Sequence, residues 1–308
     1  DRLYHITSRA RYSFQLAECN MLARIGYSQI ISTKLPGYPS QALRLKLKIS
    51  QRCGRSRQVV RMVHDAPFDP ISDKTVVVTG ATGGIGSEFC KQLLEKKNRV
   101  IAACRKPTDA LRSLGEEHSG QLTITELDVS DGRSIAKWAS ELSSKVDHVH
   151  VCINNAGTTG LDGFARWALE DATEEDMMHA YMINAVGPTL IVQQLLKHSL
   201  LGGSSPSLVA NVTSKVGSVA DNGSGAGYAY RASKSALNNI TKSMSIDLAP
   251  QGITCTLLHP GYVRTKMTEG RGLIDAPESA GGLIRVMEGA AGPIAGRWYD
   301  YKLEEIPW

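Results

Sequence analysis

This sequence has no long hydrophobic run. No apolar stretch in its 308 residues approaches the roughly 20 residues that a membrane-spanning helix requires, so we expect neither a transmembrane segment nor a membrane partner. Internal repeats and the compositions of collagen-like or wholly disordered chains are absent as well. A hydrophobic content of 42% and a charged content of 21% are instead typical of a globular protein with a full hydrophobic core.

Cysteine is sparse and scattered. The six cysteines lie far apart and form no C-x-x-C pair, so the ligand spacing of common metal sites is missing and we expect no metal. Cys152 lies inside the apolar run VHVCI, where a thiol acts as a small hydrophobic group. The pattern favours unpaired thiols in a reducing compartment over a disulfide framework.

The formal net charge of +5 is unevenly distributed along the chain. Residues 1–72 carry twelve Lys and Arg against four Asp and Glu, whereas the remaining residues carry 23 against 26. A basic segment is therefore joined to a mildly acidic one. The sequence pI of 8.8 belongs to that segment, and we expect no nucleic-acid partner.

The basic segment, residues 1–72, shows no sustained periodicity and is rich in Arg and Ser. This composition is typical of an organellar transit peptide. Two alternatives are a disordered arm and upstream sequence wrongly assigned to the gene. We expect a chloroplast or mitochondrial location if the segment is a transit peptide, and a cytoplasmic location otherwise.

From Asp73 onward, short buried-strand patterns alternate with helical patterns. Such alternation predicts one α/β domain over residues 73–308, with a Rossmann-type, doubly wound parallel sheet between two helix layers. The predicted strands span 74–79, 99–103, 122–129, 148–153, 207–213 and 253–258. The predicted helices span 83–97, 134–144, 174–198 and 229–248.

A glycine-rich turn, TGATGGIG, joins the first predicted strand to the first predicted helix. Gly80 allows the tight turn, while Gly84 and Gly86 let the backbone approach a pyrophosphate and pack against the sheet. The helix N-terminus would then present free N–H groups and the positive end of its dipole to the phosphates. Turn geometry alone also explains such glycines, but the strand–turn–helix context favours a dinucleotide site.

The end of the second predicted strand distinguishes two cofactors. NAD sites usually place an acid there for the ribose 2′-hydroxyl, whereas a basic residue accommodates the 2′-phosphate of NADP. Here the sequence reads VIAACRKP, with Arg105 and Lys106 and no acid. The pattern favours NADP(H) over NAD(H), unless both bases are ordinary surface residues.

The sequence YRASK places Tyr230 and Lys234 on one face of a predicted helix. A tyrosine with the usual pKa near 10 is a poor acid–base catalyst at neutral pH. A neighbouring ammonium favours the phenolate, so we expect Lys234 to lower the pKa of Tyr230. Tyr228 lies two residues earlier and cannot present its hydroxyl on that face, so we do not assign it a catalytic role.

Five motifs occur in the order and spacing of the short-chain dehydrogenase/reductase superfamily, and the resemblance covers residues 73–308. They are TGATGGIG, NNAG at 154–157, TSKVGS at 213–218, YRASK at 230–234 and HPGYVRT at 259–265. The sequence is identified as a member of this superfamily on these motifs. The loop DNGSGAG, the stretch YRASKSALN and the terminal IPW resemble its sniffer and C-factor branch, which is typified by carbonyl reductases that use NADPH.

The resemblance implies four catalytic residues. Tyr230 resembles the general acid that protonates the carbonyl oxygen as hydride arrives, and Ser214 resembles the residue that polarises that carbonyl. Lys234 matches the lysine that tunes the tyrosine, and Asn184 matches the asparagine that holds a water in the proton relay. Taken singly, Asn184 could merely kink its helix and Ser214 could be a loop hydroxyl.

The resemblance also implies a cofactor site. Asp128, at the end of the third predicted strand, resembles the family's adenine contact, whereas Asn155 is expected to make a structural bond between strands. The expected cofactor-binding residues are Thr79, Gly80, Thr82, Gly83, Gly84, Ile85, Gly86, Arg105, Lys106, Asp128, Val129, Asn154, Ala156, Gly157, Tyr230, Lys234, Pro260, Gly261, Val263 and Thr265.

The implied function is NADPH-dependent reduction of a ketone or aldehyde to an alcohol. The segment between Thr265 and Pro277 is short where many steroid-handling relatives carry a longer lid, which favours small or conjugated carbonyl substrates. Family members are frequently dimers or tetramers, so we expect a homodimer or homotetramer. Two alternatives stay open: a cofactor-binding assembly subunit, and a C-factor-like signalling protein with little turnover.

Overall fold

Seven parallel strands form one sheet in the computed structural model, which describes residues 66–308. The strand order is β3-β2-β1-β4-β5-β6-β7. The strands are β1 Thr75–Thr79, β2 Arg99–Cys104, β3 Leu122–Glu126, β4 Val151–Asn154, β5 Ser207–Val212, β6 Ile253–His259 and β7 Trp298–Asp300. The strand order reverses between β1 and β4, because β2 and β3 are added on one side of β1 and β4–β7 on the other.

Helices cover both faces of the sheet. They are α1 Gly84–Glu95, α2 Asp109–Glu117, α3 Gly132–Ser143, α4 Glu174–Tyr181, α5 Gly187–Lys197, α6 Tyr228–Asp247 and α7 Ala276–Met287. No helix within residues 66–308 is long and apolar enough to cross a membrane.

Two apolar clusters fill the space between the sheet and its helix layers. Val76 of β1 packs in one cluster with α1, α2 and α7, and the adjacent Val77 packs in the other with α3 and α5. Because successive residues of a strand point to opposite faces, a strand buried on both sides consists of a continuous apolar run. The predicted doubly wound, three-layered α/β domain is therefore confirmed.

The predicted helix over 174–198 is interrupted in the structure. Between α4 and α5, residues Met182–Val186 form one π-helical turn, in which the N–H of Gly187 bonds to the carbonyl of Met182 five residues earlier. Pro188 lies in the first turn of α5, where its missing N–H needs no intrahelical partner. The π turn contains Asn184, one of the expected catalytic residues.

Three short elements have too weak a pattern to be predicted. Helix α2 has nine residues and buries only Leu111, so its sequence is short and mostly polar. Helix α7 contains Gly281 and Gly282, which are poor helix formers. Strand β7 has three residues, and β6 pairs with it along the edge of the sheet.

The segment before β1 packs on the domain. Phe68 and Ile71 belong to the first apolar cluster, and the Ile71 N–H donates to Oε1 of Glu288 at 2.8 Å. The Asn98 side chain donates to the Ile71 carbonyl at 2.9 Å. The packed core therefore begins ahead of the predicted boundary at Asp73. Residues 1–65 of the basic segment lie outside the described residues, and its nature stays a prediction.

The described cysteines serve as small apolar side chains. Cys90, Cys104, Cys152 and Cys255 are all buried and unpaired. Burial raises the pKa of Cys152 to about 12, which keeps its thiol protonated. Cys19 and Cys53 lie outside the described residues.

Candidate active site

A cavity of about 810 Å³ lies beyond the carboxyl ends of the strands, beside the point where the strand order reverses. This is where open α/β sheets bind their ligands. Most of the expected cofactor residues line it. They are Gly80, Thr82, Gly83, Gly84, Ile85, Gly86, Arg105, Lys106, Asp128, Val129, Ala156, Gly157, Tyr230, Lys234, Pro260 and Thr265.

Four expected cofactor residues do not line the cavity, and two of them lie behind its lining residues. Thr79 is buried, and its Oγ1 accepts the N–H groups of Asn155 and Ala156, each at 3.0 Å. Asn154 is buried and donates to Oδ1 of Asn211 at 2.8 Å, joining β4 to β5. These two residues shape the cleft without facing it.

Two further expected residues follow Pro260. Gly261 has φ +81°, and a Cβ there would lie 2.7 Å from Cε1 of Tyr301. Val263 is buried and bridges to Ile274. Both set the path of the segment that carries Thr265 to the cavity.

The glycine turn brings α1 directly against β1. A Cβ on Gly86 would overlap the Gly80 carbonyl oxygen, and Gly80 itself has φ +66°. Asn155 holds the junction, because its Nδ2 donates to the carbonyls of Thr79 at 2.9 Å and Gly80 at 3.3 Å. The structural role expected for Asn155 is confirmed.

The N-terminus of α1 faces the cavity without a capping side chain. Gly83 precedes the helix, and no side chain accepts a hydrogen bond from its first turn. The first N–H groups of a helix have no intrahelical acceptors, and a phosphate is a suitable partner for them. The turn and the helix end therefore fit the pyrophosphate of a dinucleotide.

The far end of the cavity carries charges of both signs. Arg105 and Lys106 follow β2, and Asp128 follows β3. Burial alone would raise the pKa of Asp128, but hydrogen bonds from Ser130 and the charge of Arg105 outweigh it and lower that pKa. The Asp128 Oδ1 accepts the Ser130 N–H at 2.9 Å and its hydroxyl at 2.6 Å. The carboxylate is thus ionised and oriented, and Arg105 and Lys106 line the same cavity.

Two of the three expected reactive side chains, Tyr230 and Lys234, line the near end of the cavity, and the third, Ser214, follows the lining residue Thr213. Tyr230 and Lys234 project from the first two turns of α6, and Ser214 lies two residues beyond the end of β5. The Ser214 side chain lies close enough to the Tyr230 hydroxyl to act on its pKa. The Lys234 Nζ donates to the Val212 carbonyl at 2.9 Å and lies 5.8 Å from the centroid of the Tyr230 ring.

Burial governs the protonation of this pair. It raises the pKa of Tyr230 above its ordinary value, and the hydrogen bond with Ser214 acts in the opposite direction. Burial lowers the pKa of Lys234 to about 7. From the YRASK spacing, the charge of Lys234 is expected to lower the pKa of Tyr230. In this geometry, desolvation has the larger effect on that pKa and raises it. Tyr230 is therefore a protonated hydroxyl at neutral pH.

The side chain of Asn184 links two elements of the site. It is fully buried and accepts the Thr158 N–H at 2.9 Å. Its Nδ2 donates to the Thr158 carbonyl at 2.8 Å and to the Ser233 hydroxyl at 2.9 Å. The Ser233 hydroxyl in turn donates to the Tyr230 carbonyl at 2.8 Å. The Asn184 side chain thus fixes the loop after β4 to the catalytic helix.

Arg231, which the sequence argument did not identify, holds the loop between Ser214 and Tyr230. Its Nε donates to the carbonyls of Gly225 at 3.1 Å and Ala226 at 2.9 Å. Its Nη1 donates to the Val216 carbonyl at 3.0 Å. No periodicity reveals such contacts, because they join main-chain atoms of an irregular loop.

Further cavity residues were not predicted either. Thr213, Lys266 and Met267 adjoin predicted motifs, so their positions in sequence were a usable signal. His179 and Ile183 come from α4 and the π turn, where no pattern marks them. The unpredicted lining residues are Cys104, Thr108, Leu127, Asn155, Thr158, His179, Ile183, Val212, Thr213, Lys266 and Met267. Among residues 66–308, no group of three or more side chains could hold a metal ion.

The sequence model of the short chain dehydrogenase family matches residues 74–273. The chain belongs to this family. Over 161 aligned residues the enzyme is 44% identical to C-signal of Myxococcus xanthus. The alignment covers 52% of this chain and 93% of that protein. The fold is similar to NADPH-bound carbonyl reductase from chicken fatty liver, with 30% identity, a TM-score of 0.68 and coverage of 77% of this chain and 100% of that one.

Carbonyl reductase Sniffer of D. melanogaster is similar as well, with 27% identity and a TM-score of 0.68 over 77% of this chain and 100% of that one. The predicted resemblance to the carbonyl reductase and C-factor type is confirmed. The enzyme is an NAD(P)-dependent oxidoreductase of the short-chain type, which uses a nicotinamide dinucleotide and acts on a small molecule. Its oligomeric state stays a prediction.

The buried Lys234 predicts a pH-dependent stability. The folded enzyme releases this proton near pH 7, whereas the unfolded chain holds it up to the ordinary value of 10.5. The lysine therefore destabilises the fold most at pH 7 and below, and progressively less as the pH rises from 7. We expect Lys234→Met to raise the Tm of the cofactor-free enzyme near pH 7, and the difference to shrink near pH 9.

Thermal denaturation at several pH values measures this difference. Lys137→Met is the matched control, because the Lys137 side chain is 77% exposed and its removal should leave no pH-dependent difference over this range. A Tm difference between Lys234→Met and the wild type that stayed constant from pH 7 to 9 would contradict the argument.

Proposed function

We propose that the enzyme uses NADP(H) to reduce a ketone or aldehyde carbonyl to an alcohol. The proximity of two hydroxyls carries the proposal: Tyr230 lines the dinucleotide cleft, and Ser214, next to the lining residue Thr213, lies close enough to act on the pKa of Tyr230. Two hydroxyls that meet at one point can both bond to a single carbonyl oxygen. The Lys234 side chain is buried, and its Nζ donates to the carbonyl of Val212 at the end of β5.

The residues divide the acid–base work between them. A dinucleotide held in the cleft by the glycine turn would supply a hydride for the carbonyl carbon. Ser214 donates a hydrogen bond that stabilises the developing negative charge on the carbonyl oxygen. Tyr230, protonated at neutral pH, transfers its proton to that oxygen, so its O–H bond breaks as the alcohol O–H bond forms. The Lys234 ammonium stabilises the resulting phenolate and can return a proton to it, since its pKa is about 7.

Support for NADP(H) comes from the far end of the cleft. Arg105 and Lys106 line it directly after β2, which ends in Cys104 and so offers no acid to a ribose 2′-hydroxyl. A 2′-phosphate placed there would meet two cations. The chicken carbonyl reductase of similar fold is bound to NADPH, which agrees with this assignment.

A second candidate is a signalling function that needs cofactor binding more than turnover. The 44% identity to C-signal over 93% of that protein favours it. The complete Ser214, Tyr230 and Lys234 set favours the enzyme, because a protein that only binds the cofactor needs no proton donor with a second hydroxyl beside it for a carbonyl oxygen.

Tyr230→Phe tests the proposed chemistry. Removing one oxygen takes away the proton donor and leaves the ring in place, so we expect NADPH oxidation with a panel of aldehydes and ketones to fall by at least about a hundredfold. NADPH binding, followed by the change in nicotinamide fluorescence, should stay within about twofold of the wild type. Undiminished reductase activity in this variant would overturn the role of Tyr230, and binding without turnover in the wild type would favour the signalling function.

The double variant Arg105→Ala, Lys106→Ala tests the cofactor assignment. Each lost charge-assisted bond to a phosphate is worth roughly 1.5–3 kcal/mol, so kcat/KM for NADPH should fall by about tenfold or more. The value for NADH should change little, because NADH has no 2′-phosphate. Lys137→Ala, on the exposed face of α3, serves as the control. A wild-type preference for NADH would reverse the assignment.

A further inference from the structure

An aromatic side chain outside the predicted motifs stands beside the catalytic tyrosine. Trp167, in the loop between β4 and α4, has its ring centroid 6.3 Å from that of Tyr230, with the two planes inclined by 38°. Its indole is only partly buried. A large aromatic group next to the proton donor, and open on one side, can contact whatever binds at that donor.

The structure reserves space for this indole. Gly227, which directly precedes α6, has φ +65°, and a Cβ there would lie 2.5 Å from Cζ2 of Trp167. The Gly227 N–H donates to the Trp167 carbonyl at 2.6 Å. The loop after β4 is thus fixed to the start of the helix that carries Tyr230. The indole of Trp167 packs so closely against residue 227 that only glycine fits there.

A second aromatic ring continues the wall toward the segment after β6. The Phe164 ring lies 4.9 Å from that of Trp167 between centroids. The Arg271 guanidinium lies 5.1 Å from the Phe164 ring centroid, within the range of a cation–π contact. Tyr230, Trp167, Phe164 and Arg271 therefore form a continuous row of neighbouring side chains that starts at the cavity residue Tyr230.

The surroundings of this row are apolar. Exposed large hydrophobic side chains gather on the segments that follow β4, β5 and β6: Leu161, Leu169, Val219, Tyr262, Met267 and Leu273. The arginines of the segments after β4 and β6 all pair with acids of their own segment. These pairs are Arg166 with Asp162 at 2.6 Å, Arg264 with Asp275 at 2.7 Å and Arg271 with Glu269 at 2.9 Å.

We propose that Trp167 is the platform for the ring of an aryl or conjugated carbonyl substrate, and that it makes the enzyme select flat conjugated carbonyls over saturated ones of equal size. This inference rests on the proposed carbonyl reduction. A carbonyl whose oxygen bonds to Tyr230 brings a directly attached ring alongside the neighbouring indole. The exposed apolar side chains of the surrounding segments offer that ring hydrophobic contacts, and an acidic substrate meets no unpaired arginine in the segments after β4 and β6.

The test compares benzaldehyde with cyclohexanecarbaldehyde, which have the same carbon count and differ in ring flatness. We expect Trp167→Ala to lower kcat/KM for benzaldehyde by roughly three- to tenfold, the range of aromatic-pair energies. The value for cyclohexanecarbaldehyde should change by less than about twofold, and Trp167→Phe should recover most of the loss. Glu170→Ala, on the same loop and exposed, is the matched control and should leave both values unchanged.

A binding measurement separates this inference from the proposed reaction. Benzamide and cyclohexanecarboxamide carry the same rings on a carbonyl that is not reduced, and calorimetry can follow their binding to the full-length enzyme with NADP+. Tighter binding of benzamide that disappears in Trp167→Ala supports the platform, even if the wild type reduces neither aldehyde and the proposed function fails. Reduction of both aldehydes with an equal loss in Trp167→Ala, or unchanged benzamide binding, would overturn the platform and leave carbonyl reduction intact.

Discussion

The contact between Gly86 and the Gly80 carbonyl is the constraint on which the site depends. No side chain fits between α1 and the end of β1, so the helix end is held against the sheet beside the strand-order reversal. Asn155 fixes this junction from β4. The same loop continues to Thr158, which bonds to Asn184, and Asn184 reaches Ser233 in the catalytic helix. These hydrogen bonds, together with the covalent chain from Asn155 to Thr158, therefore join the phosphate end of the cleft to its reactive end.

The site combines buried polar groups whose hydrogen bonds are satisfied with one buried group, Lys234, that destabilises the fold. Buried polar groups cost free energy unless their bonds are satisfied, and Asn184 and Ser233 both have protein partners. Lys234 is different, because its single bond to Val212 does not prevent burial from lowering its pKa to about 7. The surrounding fold offsets that cost, and in the proposed reaction the result is a proton donor and a cation at the position where charge would develop.

Much of this arrangement could be predicted from the sequence, because its signals are local. The TGATGGIG turn, the buried strand runs and the YRASK spacing each depend on neighbouring residues. The sequence could not reveal β7, whose three residues are too few for a pattern, or the π turn around Asn184, whose amino acids are ordinary helix residues. Arg231 and Trp167 act through contacts between segments distant in sequence. The raised pKa of Tyr230 follows from burial, and spacing alone predicted the opposite direction.

In the proposed reaction, this cleft delivers a hydride to a carbonyl carbon while Tyr230 supplies the proton. The most direct measurement uses NADPH that carries deuterium at the transferable C4 position, with mass spectrometry of the alcohol formed from an aryl aldehyde. We expect the alcohol formed by the wild type to carry one deuterium on the former carbonyl carbon. Oxidation of the cofactor without deuterium in the product, or no alcohol from any carbonyl compound tested, would contradict it.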